Sequence, residues 1–459
     1  MTPDRAIRIV FAIHPGAGHV NSSLCLAKLL RERGHHVIYL GLVDARESVL
    51  RSGFEFVPLA EDILPGAASR QPADSLSQPR GWWARRAAAE RLFRAFLSHC
   101  SNGELDRRLL SCMPDLVLCD TLIWYVALRA LSLGLPTANL SIFLAGPPNA
   151  EVPPLLSPRI PRSSSWGRIL VRSDWLRLRC NFFFTRRLAS LLFGRFRTPY
   201  RINALLDEFH RLARRTGFPC RENRTYWLGH AGPQLILPEI VLCPRAFDFP
   251  QAPDAGRCYL GALVEAERSE DTTLLQRLDR EKPLVYSSLG SDSHLYPHSA
   301  QFFRTFVEAS RLRPDWQWVL SVGPHVDTAA PGEPGPNLLV VNWAPQMAML
   351  QRAAVMVTHG GINSLLECLH FAVPMVVVPA MRDQPGNMAR AIYHGIALGA
   401  KMNTLTAVQL IELTRQAMQS AEIRDGIEQM RNAIAAENGL PAALELLESL
   451  AATPRGENP

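Results

Sequence analysis

The most informative stretch of the chain is a strand that ends in two glycines and leads directly into a helix. The strand AVMVT runs into His359-Gly360-Gly361, and a helix is predicted to begin near Asn363 and Ser364. Because glycine lacks a Cβ, backbone N–H groups can approach a ligand closely, and the helix N-terminus adds about half a positive charge. These features predict a diphosphate site. A tightly packed corner without any ligand is the alternative that the glycines alone leave open.

Side chains near this corner add groups that a nucleotide ligand needs. His359 and Ser364 can donate hydrogen bonds to phosphate oxygens, and Glu367 can accept hydrogen bonds from sugar hydroxyls, as acids in nucleotide-binding βαβ units do. Trp343, which precedes the strand, offers a flat face for a base. The stretch therefore predicts a nucleotide-binding site.

A glycine-rich turn, HPGAGHVNSSL, follows the first predicted strand and places His19 at or near the start of a helix. Ligands of parallel α/β sheets bind at the carboxyl ends of the strands. A neutral imidazole can take the proton of an alcohol near pH 7, so His19 is a candidate general base. A capping or core histidine is the alternative. His14 lies earlier in the turn and is the weaker candidate.

Asp120 ends the predicted strand DLVLCD, so we expect its carboxylate at the same edge of the sheet as His19. A buried carboxylate on the second imidazole nitrogen would hold the tautomer and stabilise the imidazolium that forms on proton transfer. Asp120 is therefore the candidate partner of His19. Its alternative role is an N-cap for the helix predicted at Trp124.

A third turn closes the strand VYSSLGS. Gly290 permits a tight turn whose amides face the cleft, so Ser288 or Ser291 can bind the diphosphate opposite His359. Alone, this motif is a weak signal of function.

The order of the predicted elements can place these turns at sheet edges. The first half of the chain contains predicted strands separated by predicted helices, and these strands are RIVFAI, HVIYLGL, GFEFVPL, DLVLCD and LPTANLSIF. A second alternation of strands and helices begins at PLVYSSLGS. We predict an α/β fold of two Rossmann-like, doubly wound parallel-sheet lobes that face each other across a cleft. The N-terminal lobe is assigned to 1–243, with an insertion at about 150–225. A linker follows at 244–262, and the C-terminal lobe, with terminal helices, at 263–459.

Residues 343–387 carry WxPQ, THGGxNSxxE, VPMxxxP and DQxxN in this order, which resembles the signature of family 1 (UDP-dependent) glycosyltransferases. The PxxGH turn at 15–19 and the SxGS turn at 288–291 match the same family. The short spacer before AVMVTHGG is similar to the bacterial macrolide and zeaxanthin glucosyltransferase branch. Ile362 and Ala372 depart from the Trp and Gly that are common in the family. The resemblance implies the GT-B fold and an inverting glycosyltransferase.

The resemblance also implies a role for each matching residue. Trp343 would stack on the nucleobase, Gln346 would contact the base or ribose, and Glu367 would bind the ribose hydroxyls. Asp383 and Gln384 would bind the donor sugar, while His19 would be the general base with Asp120 as its helper. The complete set of expected donor contacts is Gly18, Ser288, Gly290, Ser291, Trp343, Ala344, Gln346, His359, Gly360, Gly361, Asn363, Ser364, Glu367, Asp383 and Gln384.

We expect a nucleotide-sugar donor, UDP-glucose, and no required metal or other cofactor. No DxD pair lies in a turn before a strand end, and no His/Asp cluster suggests a cation. The helix dipole, the glycines and His359 can offset the charge of the leaving group instead. The expected acceptor is a hydrophobic small molecule such as a polyketide, carotenoid, terpenoid or phenolic compound.

Positive charge is concentrated in the predicted insertion. Residues 157–224 hold 16 Arg and four acidic residues, a net charge of +12 in a chain of +7, and interleave Arg with Trp, Phe and Leu. This composition suits an amphipathic helix at an anionic membrane surface. The alternative is general Arg usage, since the chain has 46 Arg and three Lys. The family resemblance implies that this region shapes the acceptor pocket. We do not expect nucleic-acid binding, because no binding motif is present.

We expect no secretory signal and no membrane span, because no apolar run reaches roughly 20 residues, and the nine cysteines lack metal spacing. We expect a cytoplasmic protein, with peripheral contact to the inner membrane face as a hypothesis. Rival functions are a hexosaminyltransferase acting on a lipid-linked acceptor, an epimerase, a non-catalytic nucleotide-sugar or lipid-binding protein, and a dinucleotide oxidoreductase. The first turn lacks GxGxxG, which disfavours the oxidoreductase.

Overall fold

The computed structural model shows two parallel α/β sheets, and the residues of their inner strands are mostly buried. Strands buried on both faces are typical of parallel sheets covered by helices on both sides. The structure describes residues 6–61, 103–144, 146, 148–183, 235–251, 256–265, 272–437 and 439–453.

The first sheet has the order β3-β2-β1-β4-β5-β6-β7, and every pair in it is parallel. Its strands are β1 Arg8–Ile13, β2 His36–Gly41, β3 Glu55–Pro58, β4 Leu116–Asp120, β5 Thr137–Ser141, β6 Glu239–Val241 and β7 Arg257–Tyr259. The helices described along this part of the chain are α1 Ala17–Glu32, α2 Arg46–Arg51, α3 Glu104–Ser111, α4 Trp124–Ser132 and α5 Ser165–Phe183.

The second sheet has the order β10-β9-β8-β11-β12-β13 and is also parallel throughout. Its strands are β8 Leu284–Ser288, β9 Gln317–Ser321, β10 Leu338–Val341, β11 Ala353–Thr358, β12 Met375–Val377 and β13 Ala397–Gly399. The helices that follow in sequence are α6 Ser299–Leu312, α7 Gln346–Leu350, α8 Ile362–His370, α9 Gln384–Tyr393, α10 Ala407–Gln419, α11 Ala421–Ala435 and α12 Gly439–Ala451.

Strand order reverses direction once in each sheet, and these two points position the candidate site. In the first sheet the reversal lies between β1 and β4, and in the second sheet it lies between β8 and β11. Helices leave the two neighbouring strands toward opposite faces at such a point, which opens a crevice at the carboxyl edge. The His19 turn and Asp120 follow β1 and end β4, and the Ser288 and His359 turns follow β8 and β11.

Two segments differ from the predicted lobe boundaries. The predicted linker 244–262 contains β7, the edge strand of the first sheet. The last helix, α12, follows the second sheet in sequence but packs on the first, with Leu444 and Leu447 in the same cluster as Ile9 and Phe11. The sequence predicts these helix formers but not their partner, because burial of an apolar helix face can be satisfied by either lobe.

α1 begins at Ala17, whereas the leucine spacing of the sequence predicts a helix only from Ser23 to Arg33. Helical periodicity is masked there because the glycines and polar residues of the turn occupy the first helical turn itself. His19 consequently lies inside the first turn of a helix rather than in the loop before it.

Within the described residues, no helix is both long enough and apolar enough to cross a membrane. The rest of the predicted insertion, residues 184–225, lies outside the described part of the chain.

Candidate active site

His19 and Asp120 form a direct, buried hydrogen bond. The distance from His19 Nδ1 to Asp120 Oδ2 is 2.5 Å, and the residues are 8% and 2% exposed. Burial raises the pKa of Asp120, but the charge and hydrogen bond of His19 outweigh it, so this pKa lies below its ordinary value. Asp120 is therefore a carboxylate at neutral pH. The structure thus brings the predicted base and helper together.

Asp120 also fulfils a local capping role. Its Oδ1 accepts a 2.9 Å hydrogen bond from the backbone N–H of Leu122, which caps the short 3-10 helix Thr121–Ile123 before α4. The cap and the His19 contact use different oxygen atoms. The predicted cap of the helix at Trp124 is not formed, because the N-cap residue of α4 is Ile123 and α4 has no side-chain cap. Asp120 caps the preceding 3-10 helix instead, and this cap fixes the carboxylate that orients His19.

His14 packs beside His19, with ring centroids 4.8 Å apart. Its Nδ1 accepts a 3.1 Å hydrogen bond from the backbone N–H of Gly16, so this nitrogen carries no proton. Burial, with a smaller contribution from His19, lowers the pKa of His14 to about 4. His14 is neutral near pH 7 and is already occupied by its own turn, which favours His19 as the base.

The glycine corner after β11 has the geometry that its sequence predicted. Gly360 has a φ of +85°, and a Cβ there would lie 2.7 Å from Val377 Cγ1. A Cβ on Gly361, the N-cap of α8, would lie 2.6 Å from His359 Nε2. Both positions therefore require glycine, because any side chain would collide with the sheet or with His359.

His359 lies at the centre of this corner and is 9% exposed. Burial lowers its pKa to about 4, against a smaller opposing effect of the Ser288 backbone. The imidazole is consequently neutral at pH 7. It can donate one hydrogen bond to a phosphate oxygen but brings no formal charge, which differs from the charge-offsetting role that we expected for His359.

The turn after β8 faces the same histidine. A Cβ on Gly290, whose φ is +80°, would lie 3.1 Å from His359 Cε1. The Ser288 hydroxyl accepts a 3.2 Å hydrogen bond from the Gly290 N–H, and Ser291 follows in the same turn. The predicted third motif therefore packs directly against the glycine corner.

Gln346, Ser364 and Glu367 form one hydrogen-bonded group. Gln346 Nε2 donates to Ser364 Oγ at 3.2 Å and to Glu367 Oε2, while Tyr286 OH donates to Gln346 Oε1 at 3.1 Å. The structure holds the Glu367 carboxylate beside the start of α8, where ribose binding was predicted. Tyr286, which supports Gln346 from β8, was missed because a buried strand tyrosine gives no sequence signal of its own.

Trp343 and Ala344 lie at the entrance to α7. Trp343 is 59% exposed, whereas Ala344 is buried at 3% exposure. An exposed indole leaves a ring face free to stack, as the prediction requires. Ala344 is part of the hydrophobic core of the second lobe, so its side chain supports the turn from within.

Asp383 and Gln384 stand at the start of α9. Gln384 is 2% exposed, and its Oε1 accepts hydrogen bonds from the N–H groups of Ala380 and Met381 at 2.8 and 3.0 Å. Burial raises the pKa of Asp383, although a 2.7 Å hydrogen bond from Asn387 opposes this effect. Gln384 thus shapes the loop, and Asp383 is the group of the pair with acceptor capacity for a sugar.

Asn363 connects the two lobes. Its Nδ2 donates to the carbonyl of Gly18 at 2.9 Å, and its Oδ1 accepts a 2.8 Å hydrogen bond from Ser22 Oγ. Gly18 and Asn363 were both predicted to contact the donor, and the structure places them against each other across the cleft. Ser22 was missed, because its partner lies 341 residues away in sequence.

Among the described residues, no group of three or more His, Cys, Asp and Glu side chains could hold a metal ion. The site is instead composed of imidazoles, carboxylates, glycine amides and hydroxyls. These groups can bind a phosphorylated ligand and move a proton from an alcohol.

The chain is similar to known glycosyltransferases. Residues 312–430 match the family model UDP-glucoronosyl and UDP-glucosyl transferase. The chain is 26% identical over 450 residues to oleandomycin glycosyltransferase of Streptomyces antibioticus, covering 98% of this chain and 91% of the relative. It is 27% identical over 221 residues to zeaxanthin glucosyltransferase of Pantoea ananas, covering 47% of this chain and 50% of that one.

A further relative is the NDP-glycosyltransferase YjiC of Bacillus subtilis, 26% identical over 220 residues, with 47% of this chain and 55% of the relative covered. The chain thus matches about half the length of YjiC and of the zeaxanthin enzyme. The solved glycotransferase of kitacinnamycin superposes with a TM-score of 0.65 at 25% identity, covering 97% and 99% of the two chains. The calicheamicin glycosyltransferase CalG4 gives 0.64 at 21% identity, covering 97% and 98%, and supports the fold.

The fold is the GT-B fold that these solved glycosyltransferases share. Within that fold, residues 312–430 match the UDP-glucoronosyl and UDP-glucosyl transferase family model, and the chain is similar to bacterial glycosyltransferases named for natural products. The predicted family resemblance and fold class are confirmed, and these relatives support the predicted enzyme class.

Proposed function

We propose that the protein transfers a sugar, expected to be glucose, from a UDP donor to a hydroxyl group of a hydrophobic small-molecule natural product. The observation that carries this proposal is the buried His19–Asp120 pair at one switch point, across the cleft from the glycine corner at the other. Two of the relatives are named for oleandomycin and for zeaxanthin, which favours a natural-product acceptor.

The chemistry follows from the positions of these groups. His19 takes the proton of the acceptor hydroxyl while the acceptor oxygen forms a bond to the anomeric carbon. The bond from that carbon to the donor's phosphate oxygen breaks, and its electron pair leaves with the diphosphate. Asp120 stabilises the imidazolium that His19 becomes. Attack opposite the diphosphate inverts the configuration, so an α-linked donor yields a β-glycoside.

Donor binding in this proposal uses the second lobe. Trp343 stacks on the uracil, Glu367 accepts from the ribose, and Asp383 accepts from the sugar hydroxyls. The amides of the glycine corner and the N-terminus of α8 bind the diphosphate. We expect the transfer to need no metal ion, so full activity in excess EDTA is the expected result.

The test separates transfer from binding. His19→Ala should abolish glucosyl transfer while UDP binding stays near wild type, and Asp120→Asn should lower kcat by about 100-fold or more. His359→Ala should weaken UDP binding itself. Each protein is incubated with UDP-glucose or dTDP-glucose and a panel of hydrophobic alcohols, and mass spectrometry detects the glycosylated products. Calorimetry measures the affinity for UDP. Retained transfer in His19→Ala would refute the assignment of the base.

We also propose that α5 contacts an anionic membrane surface, because the helix presents two different sides. Val171 and Trp175 are buried, and Trp175 Nε1 donates to the Val152 carbonyl at 2.9 Å. On the outer side Trp166, Ile169 and Leu176 are 67%, 49% and 60% exposed. Their spacing of three and seven residues places them on one face.

Exposed arginines flank this outer face, which suits anionic headgroups beside inserted apolar side chains. The exposed arginines of the helix are Arg168, Arg172, Arg177 and Arg179.

Flotation with vesicles that contain phosphatidylglycerol tests this contact. The wild type should float at low salt, and a Trp166→Ser/Ile169→Ser/Leu176→Ser variant should remain in solution. Equal flotation of both proteins, or no flotation of the wild type, would refute the proposal. If the wild type does not float but sediments as a dimer, and the variant sediments as a monomer, the exposed face binds a second copy of the chain instead.

A further inference from the structure

An ion pair joins the two loops that enclose His359. Arg382 Nη1 lies 2.7 Å from Asp292 Oδ2, and the side chains are 46% and 38% exposed. Asp292 directly follows Ser291 in the turn after β8, and Arg382 directly precedes Asp383 at the start of α9. The pair therefore spans the second lobe's side of the cleft, beside the predicted phosphate and sugar contacts.

The backbone of Arg382 adopts a conformation that is costly for an arginine. Its φ of +59° lies in the left-handed region, which non-glycine residues rarely occupy. The loop is held in this shape because Gln384 accepts hydrogen bonds from the N–H groups of Ala380 and Met381. Such strain persists where surrounding structure enforces it and is concentrated at functional sites. Here it directs a long cationic side chain toward the Ser291 turn.

The charge of Arg382 reaches the groups that surround the cleft. It lowers the pKa of His359, and it acts in the same direction on His14 of the first lobe. Burial dominates both shifts. The guanidinium nevertheless lies close enough to interact electrostatically with both histidines, on the side of the cleft where the diphosphate is expected.

The residues predicted to contact the donor lack a positively charged group. None of the residues predicted to contact the donor is a lysine or arginine, and His359 is neutral at pH 7. A nucleoside diphosphate gains negative charge when it leaves the sugar. Glycine amides and a helix dipole supply only partial charges.

We propose that Arg382 exchanges Asp292 for the donor's β-phosphate and is the cation that stabilises the departing diphosphate. This inference rests on the proposed function and adds a residue to it. In the transfer step, the acceptor oxygen bonds to the anomeric carbon and its proton passes to His19. The bond between the anomeric carbon and the β-phosphate oxygen breaks, and the electron pair stays on that oxygen, where Arg382 binds it.

Arginine suits this exchange because its guanidinium can form two parallel hydrogen bonds to a phosphate. Asp292 offers Arg382 a partly exposed partner with a single charge, which solvent screens. A diphosphate bound at the glycine corner offers more charge in a more enclosed place. Asp292 therefore competes only weakly with a bound diphosphate for the guanidinium of Arg382.

Two substitutions that break the same ion pair test the proposal. Arg382→Gln should weaken UDP binding and lower kcat for transfer, each by about 10- to 100-fold. Asp292→Asn frees the guanidinium, so it should keep or increase UDP affinity and turnover. Arg382→Lys should recover part of the loss. Equal losses in Arg382→Gln and Asp292→Asn would overturn the proposal, because they would show that the pair only fastens the loops.

UMP serves as the matched probe, since it lacks the β-phosphate. By calorimetry, Arg382→Gln should reduce affinity for UDP but leave affinity for UMP within about threefold of wild type. An equal loss for both nucleotides would also overturn the proposal. These binding measurements need no acceptor, so they remain informative if the proposed transfer reaction fails. Circular dichroism and the unfolding midpoint show whether each variant is folded.

Discussion

Two histidines in the cleft, His14 and His359, are neutral near pH 7 because burial lowers the pKa of each to about 4. Asp120 behaves in the opposite way, since His19 holds its pKa below the ordinary value despite burial. The same low-polarity environment therefore keeps two imidazoles uncharged and one carboxylate charged. The difference lies in the sign of the charge, because a cationic His19 favours the negative charge of Asp120 and disfavours a second positive charge on His14.

The lowered pKa values predict a loss of stability in mild acid. An unfolded histidine titrates near 6.5, so each buried histidine contributes stability that is complete above that pH and is lost as the pH falls toward 4. From pH 7 to pH 5 each should cost about 2 kcal/mol of unfolding free energy. Urea unfolding at both pH values measures this cost.

His359→Gln and His14→Gln should each lose less stability than the wild type between pH 7 and pH 5. His36→Gln, at an exposed position at the start of β2, is the control for the histidine-to-glutamine replacement itself. If the His359 and His14 variants lose as much stability as the wild type, these histidines do not titrate as described.

At the scale of elements, the last helix decides how the lobes share the chain. α12 begins at Gly439, where a Cβ would lie 1.7 Å from the Tyr259 carbonyl oxygen, so the helix starts directly against β7. Leu444 and Leu447 then bury their side chains in the first lobe's core. The first sheet is therefore completed by residues from the opposite end of the sequence.

Leu447→Ala should destabilise the first lobe. Leu447 is fully buried, and removing a buried leucine side chain typically costs about 2–5 kcal/mol. Hydrogen exchange should show faster exchange in β1 and β4, although residue 447 follows the second sheet in sequence. Glu445→Ala, on the exposed side of the same helix, is the control and should change little. Faster exchange confined to the second sheet would contradict the observed packing.

At the scale of the whole molecule, a buried ion pair joins Asp248, in the segment between β6 and β7, to Arg390 of the second lobe. Arg390 of α9 donates to Asp248 at 2.7–2.8 Å and to the Leu144 carbonyl at 3.4 Å, and both charged side chains are 1% exposed. Gly386 lies beside it, where a Cβ would be 2.0 Å from the Leu155 carbonyl oxygen. The first lobe thus meets α9 over a tightly packed surface.

Arg390→Met should be strongly destabilising, by about 3–5 kcal/mol, because it leaves the Asp248 charge buried without its cation. Differential scanning calorimetry should show a lower midpoint and a broader transition as the lobes lose their coupling. Adding Asp248→Asn should recover part of the loss. Arg313→Met, which breaks a surface pair with Asp315, is the control and should shift the midpoint little. Equal shifts in both variants would argue against this buried coupling.

The sequence by itself determined the features that depend on neighbouring residues. Strand ends, turn glycines and helix starts are local, so the glycine corner at Gly360 and the places of His19 and Asp120 at sheet edges were predictable. Parallel sheets bring the carboxyl ends of their strands to one edge, which is why two turns 100 residues apart could be assigned to one site. The motif order over 343–387 added the donor roles.

Only the tertiary structure decided what depends on distant partners. Asn363 bonds to Gly18 and Ser22 of the other lobe, and Arg382 pairs with Asp292 in another loop. The neutral state of His359 was equally inaccessible, because it follows from burial among residues that the chain gathers from several elements. The physical reason is the same in each case. Local geometry is fixed by adjacent residues, whereas burial and long-range contacts exist only once the whole chain has folded.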